Sequence, residues 1–323
     1  MSKNTRHWSK VGETGTVLGM KSLLLVHQLF GRWAFRIILL PVMGYYYLKN
    51  SIARNASKQY LELLKPSISS SSYASLSSFK HFMMFGEMML DKFLVWSGKI
   101  TRDDVVFETP DISNQMDSEN SGGIIIVSHL GNFEVCNALG QELSDMKLTL
   151  LVNTEHAEKF NSLMKKVSSS PRIKILQVND MSPATAMILS ERIDAGEYIV
   201  IAGDRTPLNG MGRVSIVNFL GKRAPMPQGA FILASLLKCP VYLMFGIKQQ
   251  TNKYHIYVEL FAKQLVLSRK QRDEAITQVV QSYADRLQSY CIKAPLQWFN
   301  FFPFWEEGDD SDEAHLLRGK KSE

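Results

Sequence analysis

One short block joins a histidine to a carboxylate directly behind an apolar run. Gly122–Val127 reads GGIIIV, and Ser128-His129-Leu130-Gly131-Asn132-Phe133-Glu134 follows it. A histidine titrates near neutral pH and can take a proton from a hydroxyl. A carboxylate on its other ring nitrogen would fix the tautomer and stabilise the imidazolium that forms. On one regular helix, residues five apart do not share a face. His129 and Glu134 can therefore meet only with His129 in a turn and Glu134 in the first turns of a helix, and Gly131 suits such a turn. The same spacing also fits a buried histidine beside a solvated helix glutamate.

The elements that must position this block alternate between strand and helix. GGIIIV is a continuous apolar run of strand length, and a helix follows from about Asn132 to Leu143. Further strands are predicted at Leu148–Val152, Ile173–Val178 and Tyr198–Ala202, with helices at His156–Val167 and Pro183–Ala195; Ser182 is the N-cap of the latter. A Gly/Pro-rich loop precedes a helix at Gln228–Leu237, strands at Val241–Ile247 and His255–Leu260, and a long helix at Arg269–Cys291. Such alternation predicts an α/β fold with a mostly parallel central sheet and helices on both faces. The ligand edge of such a sheet is where the carboxyl ends of its strands lie, and His129 falls there.

Composition narrows the class of partner. The 323 residues are 45% hydrophobic and 21% charged with a net charge of +6, which excludes collagen-like, disulfide-framework and wholly disordered chains. Residues 1–65 carry +8, residues 66–305 carry +2, and the tail from Glu306 carries −4. A positive start on a near-neutral body suits an anionic lipid surface better than nucleic acid. Residues 22–48 are strongly apolar but interrupted by Arg32, Arg36 and Pro41, so neither uncharged piece reaches the roughly 18–20 residues of a transmembrane helix. No signal-peptide pattern fits them. They are expected to form a helical region in the membrane interface, with Lys21, Arg32, Arg36, Lys49, Arg54 and Lys58 available to headgroups and Trp33 and Tyr45–Tyr47 at headgroup depth.

Three parts follow. They are a basic, apolar, membrane-associating helical region at 1–65, an α/β domain at 66–305 and an acidic tail, expected to be disordered, at 306–323. A serine-rich link occupies Pro66–Ser78, and residues 79–97 have helical apolar spacing. Cys136, Cys239 and Cys291 have no CxxC spacing and read as reduced core thiols of a cytosol-facing protein. His81, His156 and His255 have no metal-like spacing, so no metal is expected. There is no Walker A loop and no GxSxG elbow; Gly210-Met-Gly212 is only a fragment of a dinucleotide fingerprint. The run Trp298, Phe299, Phe301, Phe302, Phe304 and Trp305 reads as a packed C-terminal lid or the wall of an acyl tunnel.

SHLGNFE resembles the HX4(D/E) block of the lysophospholipid-acyltransferase superfamily, in particular the branch of the lipid A lauroyl and myristoyl acyltransferases. The likeness continues in Gly203-Asp204-Arg205-Thr206-Pro207, Asn218-Phe219-Leu220-Gly221 and Pro227-Gln228-Gly229-Ala230. HWSKVGETGT (7–16) and LQWFNFFPFW (296–305) look closer still to predicted acyltransferases of bacterial aryl-polyene or flexirubin-type clusters. At Asp204-Arg205 the lipid A enzymes more often show Asp-Gln, which makes lipid A itself a less secure acceptor than the reaction type.

The resemblance implies transfer of a fatty acyl group from an acyl-carrier-protein or coenzyme A thioester to a hydroxyl of a lipid or glycolipid. The donor is a substrate, and no cofactor is implied. By matching positions His129 is the general base and Glu134 its orienting partner. Attack on a thioester also needs a group for the oxyanion. Arg205 and Arg213 are candidates for it or for a phosphate, with Asp204 beside them, and Asn132 either donates near the site or caps its helix. The implied partners are acyl carrier protein, a lipid acceptor and the phospholipid surface, at the cytoplasmic face of a bacterial inner membrane. The alternatives are an acylation step of aryl-polyene-type lipid assembly, a thioesterase-like hydrolase and a non-catalytic lipid-binding subunit.

Overall fold

The structure is a computed structural model. It describes residues 17–96, 98–119, 121–135, 146–152, 173–177, 182–205, 213–249, 253–268 and 270–305. Cys136, the helix expected at 156–167, most of the helix after Asn132, and the acidic tail lie outside the described residues.

Strand β2 (Gly123–Val127) is apolar and buried on both faces, as the centre of a covered sheet must be. Around it the sheet has seven strands in the order β1-β9-β8-β2-β5-β3-β4. These are β1 (Val105–Phe107), β3 (Lys147–Val152), β4 (Ile173–Gln177), β5 (Glu197–Ala202), β8 (Val241–Lys248) and β9 (Tyr254–Ala262). The pairs are parallel except β8·β9. A mostly parallel α/β sheet is thus present as expected.

Three elements were not anticipated. One is β1, and another is helix α5 (Pro110–Glu119). The third is an antiparallel hairpin of β6 (Val214–Phe219) and β7 (Lys222–Pro227), standing where a loop was expected.

The two faces of the sheet bury different layers. Ile124 and Ile126 pack with α8 (Arg272–Lys293), with α7 (Gly229–Leu237) and with Tyr60, Leu61 and Leu64 of α2 (Ser51–Leu64). Ile125 and Val127 face Phe35, Leu39 and Met43 of α1 (Val17–Lys49) together with α4 (Ser78–Trp96). The serine-rich link is partly structured as α3 (Ser70–Ala74), and α6 (Pro183–Asp194) starts at Ser182, whose Oγ accepts from Thr185 N at 3.1 Å.

The N-terminal helices are part of the packed body. Gly86 of α4 lets α1 approach: a Cβ there would meet Leu39 Cδ1 at 2.7 Å. Helix α1 bends at Gly31 (φ 80°), and its outer side leaves Leu25, Leu29, Phe30, Trp33, Ile37, Leu40 and Leu48 exposed. Among the described residues no helix is long and apolar enough to cross a membrane.

The basic residues of this region only partly match the expectation that they face headgroups. Arg32 binds Asp91 at 2.6 Å, Arg36 binds Glu87 at 2.8 Å, and Arg54 donates to the Tyr47 carbonyl at 2.7 Å. These cations are engaged within the protein because α4 and α1 supply acceptors at close range. Lys49 and Lys58 are exposed, and the side chain of Lys21 lies outside the described residues.

Candidate active site

Parallel pairing of β2 with β5 sets Val127 opposite Ala202. His129 and Asp204 each lie two residues beyond that last pair, at the carboxyl edge of adjacent strands. The His129 Nδ1 to Asp204 Oδ1 distance is 2.7 Å, and the His129 backbone N–H donates to Asp204 Oδ2, also at 2.7 Å. One carboxylate therefore grips both the ring and the backbone of the histidine. Asp204 is fully inside the protein, whereas the His129 side chain is 33% exposed. Since a carboxylate accepts, Nδ1 carries the proton, and Nε2 is the nitrogen left with a lone pair to take one.

The loop that presents His129 is held on two sides. Gly131 has φ 73°, and a Cβ there would meet the Gly246 carbonyl oxygen at 2.0 Å, so the backbone approach to β8 requires glycine. Asn132 N donates to Gly246 O at 2.9 Å. On the other side Phe299 N donates to His129 O and Gly131 N to Gln297 O, at 2.9 and 2.8 Å. The C-terminal aromatic segment is thus stitched to the histidine turn like an added strand.

Electrostatics suit a base. Burial and then the Arg205 charge hold His129 below its ordinary pKa, outweighing the upward pull of Asp204. For Asp204, burial alone would raise the carboxyl pKa. His129, through its charge and two hydrogen bonds, and Arg205 outweigh that and hold it below the ordinary range. The resting pair is a neutral imidazole and a carboxylate.

The other expected site residues are distributed less simply. Glu134 is not on Nδ1, where a His–Glu pair was expected; its Oε1 accepts from Lys92 Nζ of α4 at 2.6 Å. The physical reason is that Asp204 already occupies that nitrogen from the neighbouring strand. The helix start is visible at 133–135, which places Glu134 in the first turn as anticipated. Asn132 is fully buried and turned towards α4, its amide 3.4 Å from the Met88 carbonyl oxygen.

Arg205 is half-buried; its Nη2 donates to Phe299 O at 3.1 Å and its guanidinium lies 5.9 Å over Phe302. Arg213 is exposed at the start of β6, where it lines an open groove of ≈ 760 Å³ with Ser215, Gln228, Asp273 and Thr277. The structure does not bring it to His129. Among the described residues no group of three or more potential metal ligands forms.

The family model for bacterial lipid A biosynthesis acyltransferases matches residues 16–307. The chain belongs to this family. No curated protein matches the chain. As a family member it is an acyltransferase acting on a lipid, and the match spans α1, the sheet and the C-terminal aromatic segment.

Two contacts at this candidate site were not read from the sequence. Trp298 Nε1 donates to Asp204 Oδ2 at 3.0 Å, and Lys92 holds Glu134. A tryptophan in a buried run carries an N–H that needs an acceptor, and that was the available signal.

Proposed function

We propose that the protein transfers a fatty acyl group from an acyl-carrier-protein or coenzyme A thioester to a hydroxyl of a lipid or glycolipid. The observation that carries this reading is the His129–Asp204 pair at the carboxyl edge of β2 and β5, with Nε2 left to face a substrate. The acceptor hydroxyl donates to Nε2. As its oxygen attacks the thioester carbonyl, its proton passes to the imidazole, and Asp204 stabilises the imidazolium. The tetrahedral intermediate carries an oxyanion, for which Arg205 is the nearby cation. Collapse breaks the C–S bond, and the departing thiolate takes the proton from Nε2, leaving ester, free thiol and the resting pair.

Glu134 lies in the same block as His129, and its contact with Lys92 of α4 holds the first turn of the helix behind His129. Glu134 therefore acts less directly than a His–Glu pair would require. The acceptor reaches His129 from an anionic membrane surface, the cytoplasmic face of a bacterial inner membrane. The exposed apolar stripe of α1 and the exposed Lys49 and Lys58 support that docking.

The test is direct. Purified protein with an acyl-carrier-protein thioester and membrane lipid should release free carrier thiol and raise the mass of one lipid by one acyl chain. His129→Ala should abolish both. Thiol release that does not depend on lipid would make the protein a hydrolase. Activity that survives His129→Ala would overturn the mechanism.

A further inference from the structure

The C-terminal aromatic run does more than fill space, because one of its members reaches the carboxylate of the pair. Asp204 Oδ2 accepts from His129 N at 2.7 Å and from Trp298 Nε1 at 3.0 Å, while Oδ1 faces the imidazole. With a donor on each side of Oδ2, the carboxylate cannot turn about its bond to the β-carbon without losing one of them. Trp298 is fully buried among Tyr60, Phe219, Phe304 and Trp305, with ring centroids 5.1–5.9 Å away. A phenyl ring would satisfy most of that packing, and only the N–H specifically needs an indole.

The backbone of Trp298 is held as well. Its carbonyl is 3.0 Å from Nε2 of the buried His81, whose Nδ1 is 3.0 Å from Ser57 Oγ; Ser57 in turn accepts from Ser78 Oγ at 2.8 Å. A carbonyl only accepts, so His81 must carry its proton on Nε2, and Ser57 must donate to Nδ1. Burial pushes His81 down to about 3, so this arrangement does not change protonation across the physiological range.

We propose that Trp298 is a positioning residue: its indole N–H fixes the Asp204 carboxylate on His129, and the Ser78–Ser57–His81 chain fixes Trp298. This rests on the acyl-transfer reading for its kinetic consequence but not for its geometry. The charged groups that face His129 are Asp204, Arg205 and Lys92, and Tyr283 approaches Asp204 from α8. Loss of the indole donor frees the Asp204 carboxylate to turn and weakens its contact with Nδ1, the contact that favours the imidazolium. The histidine should then titrate at lower pH.

The experiment compares Trp298→Phe with Trp305→Phe in the full chain. Trp305 is also buried and donates its Nε1, but to the Phe219 carbonyl, so it controls for packing. The His129 resonance of ¹⁵N-histidine-labelled protein, assigned by its loss in His129→Ala, should titrate lower in Trp298→Phe and unchanged in Trp305→Phe. With the acyl-carrier-protein thioester, kcat should fall about tenfold at constant KM for Trp298→Phe alone. An unmoved or raised His129 pKa in folded Trp298→Phe, or an equal fall in Trp305→Phe, overturns the proposal.

Should Trp298→Phe not fold, the Trp298 indole proton decides instead. It should lie downfield in the wild type and return upfield in Asp204→Asn, and no change overturns the proposal. Absence of acyl transfer by the wild type would sink the functional reading while leaving the His129 titration difference to stand or fall alone.

Discussion

His129 and Asp204 occupy matching places, each two residues past the paired ends of β2 and β5, and their side chains meet at 2.7 Å. The strand pairing, rather than any local motif, creates the pair. Asp204→Asn keeps the shape but removes the charge that stabilises the imidazolium, and it offers Nδ1 the wrong partner. Acyl transfer should drop by about 10²–10⁴-fold, the range of a general-base contribution. Glu134→Gln breaks only the contact with Lys92 and should cost less than Asp204→Asn in the same assay. The reverse order would return Glu134 to the place of partner.

The pH profile follows from the direction of the His129 shift. The free imidazole is the active form, and His129 is held below 6.5 by burial and by Arg205. The acid limb of kcat/KM should therefore lie below pH 6.5, with a plateau through neutrality. Arg205→Met removes a charge that disfavours the imidazolium. It should move that limb to higher pH, besides lowering the plateau through loss of oxyanion stabilisation. A limb that stays in place while the plateau falls would separate the two roles of Arg205.

A second cluster tests stability rather than catalysis. Asp91 is fully buried and receives Arg32 at 2.6 Å, Lys248 Nζ at 2.6 Å and the Tyr254 hydroxyl at 2.7 Å. It ties α1 and α4 to the ends of β8 and β9. Asp91→Asn leaves two cations without their counter-charge, one of them buried, and should cost about 3–5 kcal/mol in chemical denaturation. A loss under about 1 kcal/mol would show that the cations relax to water.

Much of this architecture was legible in the chain, and the failures have physical causes. Strands β2 and β5 announce themselves as apolar runs, and both His129 and Asp204 can be placed at their ends from sequence alone. Which strand neighbours which is not written in either run, because parallel pairing depends on crossovers far away in the chain. Proximity therefore went to Glu134, the nearest carboxylate in sequence. The β6–β7 hairpin was hidden for local reasons. Pro225 and Pro227 speak against a strand, Ser215 is buried while Val214 and Ile216 are exposed, and the turn uses Leu220 at φ 54° beside Gly221. Likewise the apolar run at 22–48 reads as a membrane segment. Its Phe35, Leu39 and Met43 in fact belong to the core against α4, and only the opposite stripe is exposed.

His81 makes the fold sensitive to acid. Its folded pKa of about 3 lies below the ordinary 6.5, so the neutral form is favoured by folding. The stability it contributes is fully present above pH 6.5 and is lost as pH falls towards 3, at up to about 1.4 kcal/mol per pH unit. His81→Asn cannot titrate. It should be less stable at pH 7 by about 1–3 kcal/mol, since one of the two buried hydrogen bonds is lost, yet its stability should decline less steeply below pH 6.5. Urea unfolding at pH 7 and pH 5 measures both, and parallel slopes for the two proteins would mean that His81 is protonated without unfolding.

The exposed stripe of α1 offers a test of membrane docking that spares the core. Deleting residues 1–50 would strip Phe35, Leu39 and Met43 from α4, so release from the membrane could reflect unfolding. Leu29, Trp33 and Ile37 are all more than half exposed; Trp33 and Ile37 share one helix face at i, i+4 spacing, and Leu29 stands just before the bend at Gly31. Each apolar side chain inserted into the interface contributes about 1.5–3 kcal/mol at full burial. Changing all three to serine should weaken binding to anionic phospholipid vesicles by at least about 100-fold while leaving the denaturation midpoint nearly unchanged. Acyl transfer to a soluble hydroxyl analogue should survive in this variant, and transfer to vesicle-borne acceptor should fail. Undiminished vesicle binding would assign docking to another surface and leave the stripe without a lipid partner.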